Sequence, residues 1–152
     1  MKPSTEELTL SLAALMRHLL VSTGRDFFQE VERLGLSLSQ IKTLQLMSDR
    51  EPDTIGALAA DLGLSLPAVS RAVEGLHKRG LVKRVECSSD RRAKRVSLTA
   101  KGRRTVESLV ALRVAGLRRF VEGLEPHERD ALAEGLGPVL ERPEIAPLGS
   151  AR

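Results

Sequence analysis

The sequence predicts a mostly α-helical protein with one small β-hairpin, and three observations carry that expectation. Hydrophobic residues make up 41% of the chain and aromatic residues only 2%, a balance dominated by Leu and Ala that suits packed helices better than an aromatic-rich β sandwich. Apolar residues recur at three- and four-residue spacing through most of the length. The exception lies between Leu81 and Leu98, where β-branched residues cluster in two short runs around a polar segment. At 152 residues the chain fits one compact domain, or one domain with helical extensions.

From Glu6 onward Leu8, Leu12, Leu15 and Leu19 share a helical face, continued by Phe27, Val31 and Leu34 until Gly35 supplies a C-cap. Ser22, Thr23 and Gly24 are poor helix formers within this run and mark a place for a bend or short break. Ser37 followed by Gln40 is a capping-box pattern. It opens a second helix with Ile41, Leu44 and Met47 on its apolar face, ending near Asp49 before a turn at Glu51 and Pro52. Asp53 or Thr54 can cap a third helix that buries Ile55, Leu58, Ala59 and Leu62, and Gly63 stops it. Ser65 is then placed to cap a fourth helix, with Pro67 in the first turn where a missing N–H costs nothing. Val69, Val73 and Leu76 are its inward face and Gly80 ends it, so two short helices joined by a tight glycine turn occupy 54–79. That is the spacing of a helix-turn-helix.

Strands over 81–86 and 95–98 form the hairpin, and its tip over 88–94 is too long for a two-residue turn. The tip carries three cations and one acid, which makes it a wing. Thr99 can cap a long helix in which Val106, Leu109, Val110, Val114, Leu117 and Val121 hold one stripe for about five turns. Pro126 opens a last helix with Leu132, Leu136, Val139 and Leu140, weakened by Gly135, Gly137 and Pro138. The architecture is therefore a single domain over 1–152: a winged helix-turn-helix core over 37–102, flanking helices over 6–36 and 103–141, and a tail over 142–152. The flanking stripes exceed what so small a core covers, and an isologous twofold contact with a second copy would bury them. The flanking segments are accordingly read as N- and C-terminal dimerisation helices.

Lys and Arg number 24 against 20 Asp and Glu, and the cations gather at Lys78, Arg79, Lys83, Arg84, Arg91, Arg92, Lys94, Arg95, Lys101, Arg103 and Arg104. A polyanion is the natural partner of such a segment, although a charge run alone is also an ordinary solvated face. The helix-turn-helix arrangement decides for double-stranded DNA. Near the start of the fourth helix Ser65, Pro67, Ala68, Ser70 and Arg71 lie outward, where base edges are reached. The Arg71 fork matches guanine O6 and N7, and Ala68 suits a thymine methyl. Lys78 fits a phosphate or an i, i+4 pair with Glu74, and both readings stand. Arg91, Arg92 and Lys94 on the wing suit phosphates or the minor groove, and one of these arginines can hold Asp90 in a charge-assisted pair. Two copies on a twofold axis would read a pseudo-palindromic operator with half-sites roughly 34 Å apart.

The string TIGALAADLGLSLPAVSRAVEGLHKRGLVKR, followed by DRRAKRVSLTAKG, resembles the MarR family of multiple-antibiotic-resistance-type regulators. The acid-arginine wing followed by Leu98, Thr99 and Gly102 is more specific than a helix-turn-helix alone. The resemblance implies an obligate dimer, operator binding that usually represses, and relief by a small ligand or an oxidant. It places Ser70 and Arg71 at base-reading positions and Asp90 with Arg92 as the wing-organising pair. It also implies a ligand crevice between the dimerisation helices and the DNA-binding lobe, for which Met16, His18, Phe27, Phe28 and Met47 are the candidates. The chain has three Phe and neither Trp nor Tyr, and each candidate also suits ordinary core.

Cys87 is the one cysteine, so no intrachain disulfide can form, in keeping with a reducing cytoplasm. It stands beside the wing, whereas oxidant-sensing relatives carry theirs on the first helix. It is either an incidental thiol or one activated by Arg84 and Arg91. His18, His77 and His127 are scattered without neighbouring cysteine, which offers neither zinc-ligand spacing nor a nucleophile-base pair. Glycine pairs lack the strand-loop-helix setting of a phosphate cradle. No enzyme, metal or cofactor is expected. The apolar stretch over 8–21 is interrupted by Arg17 and His18 and reads as neither signal peptide nor membrane span. The expectation is a cytoplasmic, sequence-specific DNA-binding regulator, a repressor relieved by a small ligand or other signal. The alternatives are a winged-helix protein-assembly module and a constitutive DNA-binding protein without an effector.

Overall fold

The computed structural model describes residues 3–48, 53–85, 95–143 and 145. Its elements are α1 (Thr5–Thr23), α2 (Arg25–Leu34), α3 (Leu38–Ser48), β1 (Asp53–Thr54), α4 (Ile55–Leu62), α5 (Leu66–Lys78), β2 (Val82–Val85), β3 (Arg95–Leu98), α6 (Ala100–Glu122) and α7 (Pro126–Leu140). This is the mostly α class with an antiparallel hairpin that the periodicity predicts. Two compact units divide it, one of Phe27–Leu112 and one of Met1–Asp26 with Arg113–Arg152.

Local chemistry sets the boundaries. Ser37 N donates to Gln40 Oε1 at 2.9 Å while Gln40 N donates to Ser37 Oγ at 3.3 Å, which closes the box at the start of α3. Thr54 Oγ1 accepts from Ala57 N at 3.2 Å and starts α4. Gly63 adopts φ +61° at the end of α4. That left-handed residue lets Leu64 N reach back to the Ala59 carbonyl at 3.1 Å, reversing the chain within two residues of α5.

Within Phe27–Leu112, one hydrophobic core joins α2 to α6: Ile41, Leu44 and Met47 from α3, Leu58 from α4, Val69, Val73 and Leu76 from α5, and Val82, Val96 and Leu98 from the strands. Thr43 is buried among them with its hydroxyl donating to the Ser39 carbonyl at 2.7 Å, so it leaves no unpaired polar group. β2 and β3 pair antiparallel, with Val82 opposite Leu98 and Arg84 opposite Val96.

The short break marked at Ser22, Thr23 and Gly24 falls at Gly24, which separates α1 from α2. Two features depart from the sequence reading. Asp53 and Thr54, expected only as a cap, form a third strand paired to β3, giving the sheet order β1-β3-β2. A two-residue strand has no alternation to read. Second, Phe27 and Leu36 from the 6–36 segment, and Val106 and Leu109 from the 103–141 segment, are buried in this core. An apolar stripe shows that a face is covered, not what covers it.

In the other unit the Ser4–Glu7 capping box starts α1, yet no residue of α1 or α7 is buried. Leu10, Met16 and Val21 are 65%, 61% and 78% exposed. Thr23 lies against Gly116 of α6, where an added Cβ would fall 2.7 Å from the Thr23 carbonyl oxygen. Arg119 Nη2 reaches Asp26 Oδ2 at 2.8 Å. α7 runs through Gly135, Gly137 and Pro138 without interruption, the proline falling in its last turn where it removes one hydrogen bond.

Candidate nucleic-acid interface

The candidate interface is built on α5 within Phe27–Leu112. Val69, Ala72, Val73 and Leu76 are buried against the core. These positions fix the rotation of the helix and thereby turn Pro67, Ser70 and Arg71 outward, all three exposed. Ala68 is half-buried at the edge of that face. Ser65 is the N-cap by backbone geometry, but its hydroxyl makes no capping bond. The reason is Pro67: the second helical position has no N–H to offer, and Ala68 N turns to the Ser65 carbonyl at 3.0 Å.

Lys78 ends the helix with its Nζ 3.9 Å from Glu74 Oε1, both side chains exposed to solvent. At that separation the pair is loose, worth little in water, and the ammonium keeps reach beyond the helix end. Glu74 makes a shorter contact that sequence reasoning missed: Arg84 Nη2 of β2 donates to its Oε2 at 2.8 Å. Ten residues separate the two, and no local pattern announces a pair between a helix and a strand. His77 Nδ1 donates to the Val82 carbonyl at 3.0 Å, a second tie between the same two elements. Leu66, the first residue of α5, was likewise missed. It is 56% exposed beside the reading positions, and its apolar surface suits sugar and methyl groups.

The start of α6 closes the base of the wing. Thr99 Oγ1 donates to the Gly80 carbonyl at 2.7 Å and accepts from Gly102 N at 3.0 Å. Arg103 Nη1 and Lys101 Nζ donate to the carbonyls of Leu98 and Arg79 at 3.2 and 2.9 Å. These two cations of the basic segment thus serve the protein's own backbone, as does Arg79, whose Nη1 donates to the Leu34 carbonyl. The wing residues Asp90, Arg91, Arg92 and Lys94, and Cys87 beside them, lie outside the described residues, as does the turn at Glu51 and Pro52.

The ligand candidates fall in both units. Met16 and His18 are on α1, and the His18 ring lies 5.9 Å from that of Phe120. Phe27 and Met47 are buried in the core of Phe27–Leu112. Phe28 is exposed and meets Phe27 edge-on at 5.5 Å. Among the described residues no group of three His, Cys, Asp or Glu could hold a metal ion, and no helix is long and apolar enough to cross a membrane.

Comparison with known proteins agrees with this geometry. A profile of the MarR family matches residues 34–93, which span α3 through the wing. The HTH-type transcriptional regulator YfiV of Bacillus subtilis (strain 168), itself uncharacterized, is 31% identical over 122 residues, covering 80% of this chain and 76% of that protein. The crystal structure of RV1404 from Mycobacterium tuberculosis superimposes with a TM-score of 0.80 at 27% identity, covering 94% of this chain and 97% of the other. A mutant of S. aureus MepR bound to an oligodeoxyribonucleotide has the same fold at 23% identity, with a TM-score of 0.67 over 85% of this chain and 95% of that one. With a core that turns α5 outward, a hairpin tied to its end, and a 31% identical relative that aligns over four-fifths of this sequence, the chain belongs to the MarR family of winged helix-turn-helix transcriptional regulators.

Proposed function

We propose that this chain is a cytoplasmic, homodimeric repressor that reads a pseudo-palindromic operator through α5 and is relieved by a small ligand or another signal. One observation carries the reading: the buried side of α5 leaves Ser70 and Arg71 outward in the first turns, flanked by Leu66, Pro67 and Ala68. In this assignment Arg71 reads a guanine and Ser65 and Ser70 make shorter polar contacts. Lys78 takes a phosphate at the helix end, and Arg91, Arg92 and Lys94, organised by Asp90 with Arg92, engage phosphates or the minor groove. The oligodeoxyribonucleotide on the MepR mutant supports the partner class.

Dimerisation rests on α1 and α7, which bury no residue within one chain. A second copy would cover their exposed leucines and set two recognition helices one DNA turn apart. Relief by an effector is the remaining part of the proposal, and release of DNA by a small-molecule or oxidant panel during footprinting is its test. A Cys87→Ser variant that responds to oxidant as the parent does would remove the cysteine from that reading.

The interface is tested by fluorescence anisotropy on a footprinted duplex and a scrambled one. Arg71→Ala is expected to weaken specific binding by about 1 to 3 kcal/mol and to relax discrimination at one base pair, while Lys94→Ala lowers affinity nearly uniformly. Equal losses for both variants on both duplexes would show that the division between base-reading and phosphate-holding residues is wrong. Sedimentation as a monomer would defeat the paired arrangement.

A further inference from the structure

We propose that Glu74 is a positioning residue for DNA recognition, holding Arg84 of β2 against the reading face of α5 so that the cations at this end of the helix engage phosphate only when the duplex is in register. The inference rests on the DNA-binding reading above and deepens it.

Glu74 follows Ser70 and Arg71 at helical spacing on the outward side of α5, so a carboxylate stands on the surface assigned to a polyanion. Left alone it would repel phosphate. The structure instead gives it two cations, Arg84 at 2.8 Å and Lys78 at 3.9 Å. The Arg84 contact crosses from a strand to a helix, and His77 Nδ1 to the Val82 carbonyl ties the same helix turns to the same strand two residues away. An arginine has five N–H donors in a rigid fork. A guanidinium bonded to Glu74 through Nη2 and still 56% exposed therefore keeps donors for a second acceptor, with its orientation already set. Held this way, Arg84 offers phosphate a fixed direction instead of a swinging charge. The Glu74 carboxylate at the same time opposes any looser docking that would bring phosphates onto α5 out of register. Both effects favour the specific complex over the non-specific one.

The test uses full-length protein, a duplex selected by the wild-type chain from a random pool, and a scrambled duplex of equal length. Glu74→Gln is expected to reduce the ratio of specific to scrambled affinity about tenfold, the weight of one charge-assisted hydrogen bond. Binding to the scrambled duplex should tighten, with a salt slope steeper by about one. Glu74→Asp keeps the charge but shortens the reach, and it should lose selectivity as well. Arg84→Gln should lose it too, and the double variant Glu74→Gln with Arg84→Gln should lose less than the sum of the two single losses, because the positioning of Arg84 can be lost only once. All variants should keep the wild-type unfolding midpoint closely, since the pair is solvent-exposed.

Equal shifts on both duplexes for Glu74→Gln, or full selectivity in Glu74→Asp, would reduce Glu74 to a remote charge and overturn the inference. Additive losses in the double variant would do the same. A wild-type chain that selects no sequence and binds neither duplex would instead overturn the DNA-binding reading itself.

Discussion

Replacing Gly102 with Ala pits helix propensity against packing, and the structure decides which wins. Gly102 lies in the first turn of α6, where a Cβ would fall 2.1 Å from the Leu81 carbonyl oxygen and 3.3 Å from Leu98 Cδ2. Ordinary contact begins near 3.4 Å, so helix and chain would have to part by more than about 1 Å. The Leu81 carbonyl cannot retreat freely, because it accepts from Thr99 N at 3.0 Å. Overpacking against a held backbone costs roughly 1 to 3 kcal/mol, and each hydrogen bond loosened adds about 1 kcal/mol. Against this stands a gain of at most about 1 kcal/mol from replacing glycine within a helix. Gly102→Ala should therefore destabilise by about 2 to 3 kcal/mol, lowering the unfolding midpoint by roughly 5 to 10 °C in a chain this long. The measurement is urea and thermal unfolding followed by far-UV circular dichroism at one protein concentration. Gly56→Ala is the control: it lies in α4 with nothing within 4 Å of the added Cβ, and it should gain a few tenths of a kcal/mol up to about 1. If Gly102→Ala unfolded at or above the wild-type midpoint with the same denaturant slope, the close crossing of α6 over Leu81 would be refuted.

Three further outcomes are expected. Leu58→Ala empties a fully buried site in α4 and should cost about 2 to 5 kcal/mol by the same unfolding assay. Gly116→Ala sets a Cβ 2.7 Å from both the Thr23 carbonyl oxygen and Thr23 Cβ. A loss of about 1 to 3 kcal/mol is expected, and a neutral result would argue against that contact. Glu30 is held below its ordinary value by hydrogen bonds from the Arg33 fork at 2.6 and 2.7 Å, with the arginine charge adding to them. A carboxylate depressed in the folded state contributes at neutral pH, and the contribution disappears as pH falls through and below the ordinary carboxylate range near about 4. An acid titration of stability should thus be shallower in Glu30→Gln than in the parent, and identical profiles would remove the pair as a source of acid sensitivity.

Much of the candidate interface is legible in the sequence because it is written in local patterns. The caps at Ser37, Thr54 and Thr99 and the glycine stops at Gly35, Gly63 and Gly80 need only neighbours within five residues to act. The 3.6-residue stripe of α5 already turns Ser70 and Arg71 away from Val69, Val73 and Leu76, and the core of Phe27–Leu112 keeps that rotation. Cap chemistry was less legible at Ser65. The residue is in place, but its hydroxyl bond is lost to the proline two positions on.

What the chain could not announce lies in contacts between segments far apart. The pairing of Asp53 and Thr54 with β3, the closeness of Gly102 to Leu81, and the bond from Arg84 to Glu74 each join residues that share no period and no motif. The same holds for the stripe of α6, whose early residues Val106 and Leu109 close a core while Val114, Leu117 and Val121 stay partly exposed. Periodicity and capping are short-range physics, and they choose the elements and the outward face of the recognition helix. The partner of each remaining face follows from how those elements pack, a long-range outcome in which one apolar stripe can serve two different surfaces along its length.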